Sequence, residues 1–246
     1  MKTVLKYSLV ILICLFNSSL KAQKSNTRIT EIKKAARIPI IDGRRDDDCW
    51  INAEWLELNQ RWLGEPYSKK DFQGRYKLSW SKDALYLLVE IKDDVLYDQH
   101  NDPLTRWWDD DCVEVFVDED NSGGEHQYNH NAFAYHIALD YNIVDMGTDQ
   151  QGRLYNDHIE VKKLQKKNTT LWEMAIHLYP DSYVDGKKNS PVFLKRNKQI
   201  GFALAYCDND ASTERENFIG SEVVEGDDKN RGWIDAGIFG TLKLVD

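Results

Sequence analysis

The class of fold is decided by one stretch, Cys112-Val113-Glu114-Val115-Phe116-Val117-Asp118. Its three valines alternate with other side chains, and an alternation with a period of two is typical of a β-strand whose faces meet different surroundings. Similar short patterns, separated by turn residues, recur at 76–80, 85–91, 133–140, 171–178, 200–208 and 241–244. Many short strands without a long helical period predict an all-β fold, and we expect an antiparallel, jelly-roll-like β-sandwich.

The N-terminal part of the mature chain predicts one short helical turn. Residues 23–37 form a polar, basic lead-in, which we expect at most to add an edge strand. Asp46 is placed to cap a single helical turn that carries Trp50 and Trp55, and both rings are expected to plug one end of the core. No internal repeat or linker divides the rest of the chain, so we interpret residues 38–246 as a single domain.

Residues 1–22 have the features of a secretory signal peptide. Lys2 and Lys6 precede an apolar stretch at 9–16, and a small residue, Ala22, precedes the expected cleavage site. The apolar stretch is shorter than the roughly 20 residues that a membrane-spanning helix needs. We therefore expect a secreted or periplasmic protein that does not insert into a membrane.

The composition narrows the class of ligand. The formal net charge is −9 before the basic signal peptide is removed, and an acidic surface disfavours nucleic acid because phosphate binding depends on Lys and Arg. It is compatible with neutral sugars and divalent cations. The 8 tryptophans and 12 tyrosines indicate that some aromatic rings face outward. Cys49, Cys112 and Cys207 match no metal motif, and we interpret them as buried, with one disulfide left open.

Six motifs occur in a characteristic order: Ile41-Asp42-Gly43, Leu85-Tyr86-Leu87-Leu88-Val89, Trp108 to Asp118, Trp172-Glu173-Met174-Ala175-Ile176, Gly201-Phe202, and Trp233 followed by Phe239-Gly240-Thr241-Leu242. This order resembles the family 9 carbohydrate-binding modules, sugar-binding domains that are often appended to xylanases. The resemblance covers residues 38–246. It implies a β-sandwich that holds its ligand in a slot between two tryptophans at one end.

The resemblance also implies which residues contact the sugar. Trp108 and Trp233 match the two tryptophans that sandwich the ligand. Glu114 matches an acidic residue that hydrogen-bonds sugar hydroxyls, and Asn230 falls near a polar contact. Where the family has an arginine this sequence has His136, a departure that bears on the family's preference for the reducing end of a glycan. Such a set suits a pyranose, because aromatic faces cover its C–H patches while polar groups take its hydroxyls.

The surrounding sequence separates exposed tryptophans from core tryptophans. Trp108 and Trp233 lie in polar loops, which favours exposure and a role in binding. Trp80 and Trp172 follow strand alternation and are predicted to lie in the core. Trp107 fits a second aromatic platform and a structural plug equally well.

Two polar clusters contain residue types that can bind a metal ion. Asp118, Asp120 and Asn121 form an oxygen-rich turn, and because the resembled family carries calcium we predict a structural calcium ion there. His126 and His130 are four residues apart, but no helix aligns them, so we interpret them as part of a polar loop rather than a zinc site.

The prediction from these features is non-catalytic binding of a poly- or oligosaccharide, in concert with secreted glycan-degrading enzymes. One alternative is a glycoside hydrolase that uses Glu114 and Glu173 as its two carboxylates. A second alternative is a haem-binding sandwich. Its axial ligands would come from a small set of methionines and histidines: Met146, Met174, His136 and His177.

Overall fold

Residues 29–246, the part of the chain that the computed structural model describes, contain strands that pair into two packed sheets, and this confirms the predicted β-sandwich. The strands, in chain order, are β1 (Ile29–Lys33), β2 (Leu56–Leu58), β3 (Gln60–Leu63), β4 (Phe72–Trp80), β5 (Leu85–Asp93), β6 (Cys112–Asp118), β7 (Phe133–Ala138), β8 (Ile143–Met146), β9 (Gly152–Leu154), β10 (Ile159–Lys166), β11 (Thr169–Ile176), β12 (Gln199–Asp208), β13 (Asn217–Gly220) and β14 (Gly240–Val245). The helical segments are α1 (Asp48–Asn52) and a 3-10 turn (Ala236–Ile238).

The larger sheet has nine strands in the order β1-β14-β12-β6-β7-β8-β9, and β13 joins β12 to β3. The smaller sheet has five strands in the order β10-β11-β5-β4-β2. Among the described strands, β1 and β14 pair in parallel, whereas the other paired strands are antiparallel. The lead-in therefore supplies an edge strand, as expected.

The alternation in β6 separates the core from the opposite side of the nine-stranded sheet. Val113, Val115 and Val117 lie in the main core between the sheets. Phe116 packs on the other side of the same sheet, in a second apolar cluster. Glu114 shares that side because successive side chains of a strand point to opposite faces. We call this side, which is turned away from the five-stranded sheet, the outer face of the nine-stranded sheet.

Burial of large side chains between the sheets stabilises the sandwich. Trp80 and Trp172 are 2% and 1% exposed, which confirms the prediction that they belong to the core. Burying a side chain of this size contributes roughly 1.5–3 kcal/mol or more to the free energy of folding. The core thereby fixes both sheets, and with them the strand ends from which the loops start.

The helical turn forms near the predicted place, but it carries only Trp50, because α1 ends at Asn52 and Trp55 lies beyond it. The residue at its N-cap is Asp47 rather than Asp46, and the Asp47 side chain makes no capping bond. The Trp50 ring packs with Tyr86 and Leu88 on the outer face of the five-stranded sheet, so it does not plug the end of the core. The reason is that β5 presents apolar residues on both faces, and its outer face must also be covered.

No helix within residues 29–246 is long and apolar enough to cross a bilayer. Cys49, Cys112 and Cys207 are buried free thiols, as expected. The predicted signal peptide lies outside the described residues.

Candidate functional site

A cavity of about 330 Å³ opens on the outer face of the nine-stranded sheet. Its base is formed by side chains of β6, β7 and β8. Four loops form its rim: the one before β6, the one between β6 and β7, the one between β12 and β13, and the one before the 3-10 turn. The residues that line it are Trp107, Trp108, Glu114, Tyr128, Ala134, His136, Asp145, Met146, Arg215, Asn230 and Trp233. The five predicted ligand-binding residues therefore all meet in one cavity, over a sheet face rather than at one end of the sandwich.

The two predicted tryptophan platforms are half-exposed at the rim. Trp108 and Trp233 are each 38% exposed, although a folded chain usually buries rings of this size. Trp107 packs edge-on against Trp108, with ring centroids 5.0 Å apart. A Cβ atom at Gly152 would lie 2.6 Å from the Trp107 ring. Trp107 is therefore held against the sheet and buttresses Trp108, while part of its surface lines the cavity.

A buried ion pair lies at the base. Glu114 and His136 are directly opposite each other on β6 and β7, and His136 Nε2 lies 3.2 Å from Glu114 Oε2. His136 Nδ1 lies 3.2 Å from the Ala134 carbonyl oxygen. Burial lowers the pKa of His136, but the Glu114 carboxylate outweighs burial and the net pKa is raised. Because an imidazolium can donate from both nitrogens, the pair is held as an ion pair with Glu114 as acceptor.

Arg215 brings a positive charge that the sequence analysis did not assign to the site. Its Nη1 donates to Cys207 Sγ at 3.2 Å and its Nη2 donates to Asn230 Oδ1 at 3.3 Å. The guanidinium lies 4.2 Å from the centre of the Phe218 ring. Arg215 therefore stands in the cavity together with His136, which occupies the strand position where the resembled family has an arginine. No sequence pattern marked Arg215, because it lies in a polar loop without periodicity.

The loop that carries Trp233 is fixed from below by a buried histidine. His126 Nε2 donates to the Gly232 carbonyl at 2.7 Å, and the His126 backbone N–H donates to the Ile234 carbonyl at 2.8 Å. Burial lowers the pKa of His126, which suits a neutral ring that donates from Nε2. His130 lies elsewhere, with Nε2 at 3.1 Å from Asp185. Both histidines lie in a loop, as interpreted, but each is buried with a partner of its own rather than solvated.

Three further residues complete the lining. Asp145 accepts hydrogen bonds from the backbone N–H groups of Ala134 and Met146, at 2.8 and 2.7 Å, and burial raises its pKa to about 6. Tyr128 lies at the rim and is 38% exposed. Met146 adds an apolar surface. Sequence reasoning missed Asp145 and Tyr128 because an acidic residue in a strand and a tyrosine in a loop are common without a function.

The two carboxylates of the glycosidase alternative point away from each other. Glu173 is on β11, paired with Leu88 of β5, and its neighbours Trp172 and Met174 face the core. Its side chain therefore lies on the outer face of the five-stranded sheet, whereas Glu114 lies on the outer face of the nine-stranded sheet. Because the whole sandwich separates them, they cannot flank one glycosidic bond.

The haem alternative lacks a free pair of axial ligands. Met174 is fully buried between the sheets. Met146 and His136 share the cavity, but both ring nitrogens of His136 already face oxygen atoms. His177 Nδ1 lies 3.0 Å from the carbonyl oxygen of Asp83 and is thus already partnered.

The predicted calcium turn is closed by hydrogen bonds to its own side chains. Asp118 Oδ2 accepts from the Gly123 N–H at 2.7 Å, and Asp120 Oδ1 accepts from the Ser122 N–H at 3.0 Å. Asn121 adopts a positive φ of 58°, and its Oδ1 accepts from the Thr241 hydroxyl at 3.3 Å. Calcium at this turn stays a prediction.

Known proteins place this chain in a family. Residues 41–246 match the family described as carbohydrate family 9 binding domain-like. Endo-1,4-beta-xylanase A of Thermotoga neapolitana is 25% identical over 210 residues, which covers 84% of this chain and 17% of the xylanase. Endo-1,4-beta-xylanase A of Thermotoga maritima is 32% identical over 83 residues, 34% of this chain and 7% of the xylanase. The chain thus spans less than a fifth of the length of these relatives.

Solved structures give the same fold. A family 9 carbohydrate-binding module from Caldicellulosiruptor kristjanssonii, in complex with cellotriose, superposes with a TM-score of 0.64 at 22% identity, and the match covers 88% of this chain and 93% of that one. The complex of such a module from the same organism with glucose gives a TM-score of 0.63 at 22% identity, covering 88% and 96%. With the family match over residues 41–246, these findings show that the chain belongs to the carbohydrate family 9 binding domain-like family.

Proposed function

We propose that the protein binds a glycan in the cavity on the outer face of the nine-stranded sheet, holding a sugar ring against Trp108 and Trp233. The observation that carries this proposal is that two half-exposed tryptophans and a set of buried polar groups line a single cavity. Its volume of about 330 Å³ is at the lower end of the range of about 300–1,000 Å³ for small-molecule sites.

The polar groups at the base can favour a hydroxyl-rich ligand over one without hydroxyls. Glu114 is 2% exposed, and its Oε1 offers an acceptor, while His136 holds Oε2 in place. Arg215 offers guanidinium N–H donors, and Asn230 an amide. A site whose buried groups are satisfied only by a hydroxyl-rich ligand discriminates against ligands without hydroxyls. The tryptophans at the rim would contact the C–H surfaces of the sugar ring, and the charged groups at the base would orient the ring through its hydroxyls.

The ligand we propose is a cello- or xylo-oligosaccharide or the polysaccharide from which it derives. The structural neighbours from C. kristjanssonii are complexes with cellotriose and glucose, and the relatives matched in sequence are named as xylanases. We propose binding without hydrolysis, because the two candidate carboxylates lie on opposite outer faces. Secretion, and cooperation with glycan-degrading enzymes, belong to the same proposal.

Isothermal titration of the purified protein with glucose, cellotriose and xylotriose tests this function. We expect saturable binding of at least one of them, with no release of new reducing ends after prolonged incubation with xylan or cellulose. Hydrolysis that is lost in Glu114→Gln would contradict the non-catalytic function. Absence of binding to all three sugars, and to a wider glycan panel, would refute glycan binding itself.

A further inference from the structure

Three side chains that can bind a transition metal meet at the base of the cavity. Glu114 of β6, His136 of β7 and Cys207 of β12 each bring one donor atom within 4.8 Å of the others. They are 2%, 8% and 0% exposed, and we call them the Cys-His-Glu cluster. Its members come from three neighbouring strands of the nine-stranded sheet, so no spacing along the sequence could have revealed it.

The donor atoms are already arranged nearly as a tetrahedral metal requires. Zinc binds sulfur at about 2.3 Å and nitrogen or oxygen at about 2.0–2.2 Å, so its ligand atoms lie about 3.3–3.6 Å apart. His136 Nε2 lies 3.2 Å from Glu114 Oε2, and Cys207 Sγ lies 4.0 Å from the same oxygen. A small rotation of the Cys207 side chain is therefore enough to bring all three atoms to ligand distance of one ion.

Groups outside the cluster orient two of its members. His136 Nδ1 lies 3.2 Å from the Ala134 carbonyl oxygen. A histidine that binds a metal usually donates its other ring N–H to such an oxygen, which fixes the tautomer and the direction of the ring. Arg215 Nη1 donates to Cys207 Sγ at 3.2 Å, which suits a sulfur that binds a metal as the thiolate.

We propose that the Cys-His-Glu cluster binds a zinc ion at the base of the cavity. Thiolate and imidazole ligands favour zinc or copper over calcium and magnesium, and the carboxylate favours zinc over copper(I), which prefers sulfur. The ion takes the place of the proton between His136 Nε2 and Glu114 Oε2, so neither side chain has to turn away from the other. Three protein ligands leave one position of the tetrahedron open.

The charges of the cluster balance the charge of the ion. The Cys207 thiolate and the Glu114 carboxylate together neutralise the two positive charges of zinc, so the bound ion adds no net charge to the buried base. Arg215 stays outside the coordination sphere. Its Nη2 donates to Asn230 Oδ1 at 3.3 Å, and its guanidinium lies 4.2 Å from the centre of the Phe218 ring.

The open position of the zinc ion is reached from the cavity. Glu114 and His136 line the cavity, whereas Cys207 lies behind them and does not line it. The fourth ligand therefore comes from the cavity: water in the free protein, and a hydroxyl of the sugar when a glycan is bound. The ion needs only Oε2 of Glu114, so Oε1 stays available to the sugar. This contact with the sugar rests on the function proposed above, whereas zinc binding does not.

The test starts with purified protein that is reduced with a phosphine, stripped by a chelator and titrated with zinc chloride or cobalt chloride. We expect stoichiometric zinc to bind and to raise the Tm by about 5–10 °C at a hundredfold excess over its Kd. Cobalt should give the d–d bands of tetrahedral coordination together with a thiolate-to-metal charge-transfer band, because Cys207 is a ligand. Failure to retain zinc after dialysis, or a cobalt spectrum without the thiolate band, would overturn the proposal.

Cys207→Ser and Cys112→Ser form a matched pair of variants. The two cysteines lie opposite each other on β12 and β6, and both are buried, but only Cys207 belongs to the cluster. Cys207→Ser should lose the thiolate band and bind zinc at least about a hundredfold more weakly, because loss of an outer-shell partner alone costs about 10–100-fold. Cys112→Ser should keep both the band and the affinity.

A second ligand variant guards against a change in folding. His136→Gln leaves both cysteines in place and should also lose zinc affinity, while melting curves in chelator show whether each variant is folded. Full zinc affinity in folded Cys207→Ser or His136→Gln would overturn the assignment to the cluster. So would a loss in Cys112→Ser as large as that in Cys207→Ser.

Titration with cellotriose, with and without zinc, separates the two proposals. Zinc binding without any sugar binding would leave the metal site standing and remove the proposed function. Sugar binding without any zinc binding would overturn the metal site and leave the function in place. Sugar binding of equal strength with and without bound zinc would overturn the contact between the ion and the sugar.

Discussion

The two outer faces of the sandwich each carry a buried glutamate near a tryptophan, but their surroundings differ. On the five-stranded sheet, Glu173 Oε1 accepts from the Trp50 indole N–H at 2.8 Å. Its Oε2 accepts from the backbone N–H groups of Asp42 and Gly43, each at 3.0 Å. The segment around α1 thereby closes this face, and every oxygen of the glutamate has a donor from the protein.

On the nine-stranded sheet, the glutamate keeps a free acceptor. Glu114 Oε2 lies 3.2 Å from His136 Nε2 and 4.0 Å from the Cys207 sulfur. No group within residues 29–246 donates a hydrogen bond to Glu114 Oε1. A buried carboxylate is structural where the covering loop supplies all its donors, and it is available to a ligand where that loop leaves a cavity.

The largest expected effect is a loss of stability on substitution at the outer face of the five-stranded sheet, which the segment around α1 closes. Trp50→Ala should lower the free energy of unfolding by about 3–5 kcal/mol, because it removes a buried ring and leaves Glu173 Oε1 without a donor. Glycan affinity of the folded protein should not change. Denaturant unfolding and titration with sugar measure the two quantities. A loss of stability below about 1 kcal/mol, on the order of a surface change, would mean that this face is not closed as described.

On the outer face of the nine-stranded sheet, which carries the cavity, substitution of the tryptophans should lower glycan affinity rather than stability. Trp108→Ala and Trp233→Ala should each reduce glycan affinity at least about twentyfold, which corresponds to about 2 kcal/mol. The Tm should change little because each ring is half-exposed. A large drop in Tm with affinity retained would identify these rings as parts of the core instead.

Substitution of the two glutamates sharpens the comparison. Glu173→Gln should destabilise the protein by about 1–3 kcal/mol, because the amide NH₂ must face a donor. Glu114→Gln can turn its NH₂ toward the position of Oε1, where no described donor lies, so its stability should stay close to that of the parent. Its glycan affinity should fall about tenfold, as for the loss of one hydrogen bond to a charged group. Equal stability losses in the two variants would contradict the distinction between a structural glutamate, Glu173, and a glutamate available to a ligand, Glu114.

The smallest effect concerns pH. Because Glu114 holds the pKa of His136 above its unfolded value, the ion pair stabilises the fold fully below the unfolded pKa of about 6.5. That contribution is lost as the pH rises through the higher folded pKa. The Tm difference between the parent and His136→Gln should therefore shrink as the pH rises from about 5.5 to about 8.5. Melting curves in chelator measure it, and a difference that grows with pH would contradict the ion pair.

The alternation of residue types along the chain predicted the fold well where the two faces of a strand differ from each other in chemistry. The alternation of β6 and the order of the motifs were enough for the sandwich. The placement of Trp50 was not, because periodicity tells which residues share a face but not which loop covers it. The cap of α1 shifted by one residue for a related reason, since neighbouring aspartates are nearly equivalent in sequence.

The sequence by itself determined that Glu114 leaves the core, that Trp108 and Trp233 lie in loops, and that the chain belongs to a sugar-binding family. The tertiary structure alone decided that Arg215, Asp145 and Tyr128 join them. It also decided that Cys207 meets Glu114 and His136. These groupings depend on the register between strands distant in the chain, such as Cys112 opposite Cys207. Hydrogen bonding and packing across the two sheets set that register, and no local pattern of residues encodes it.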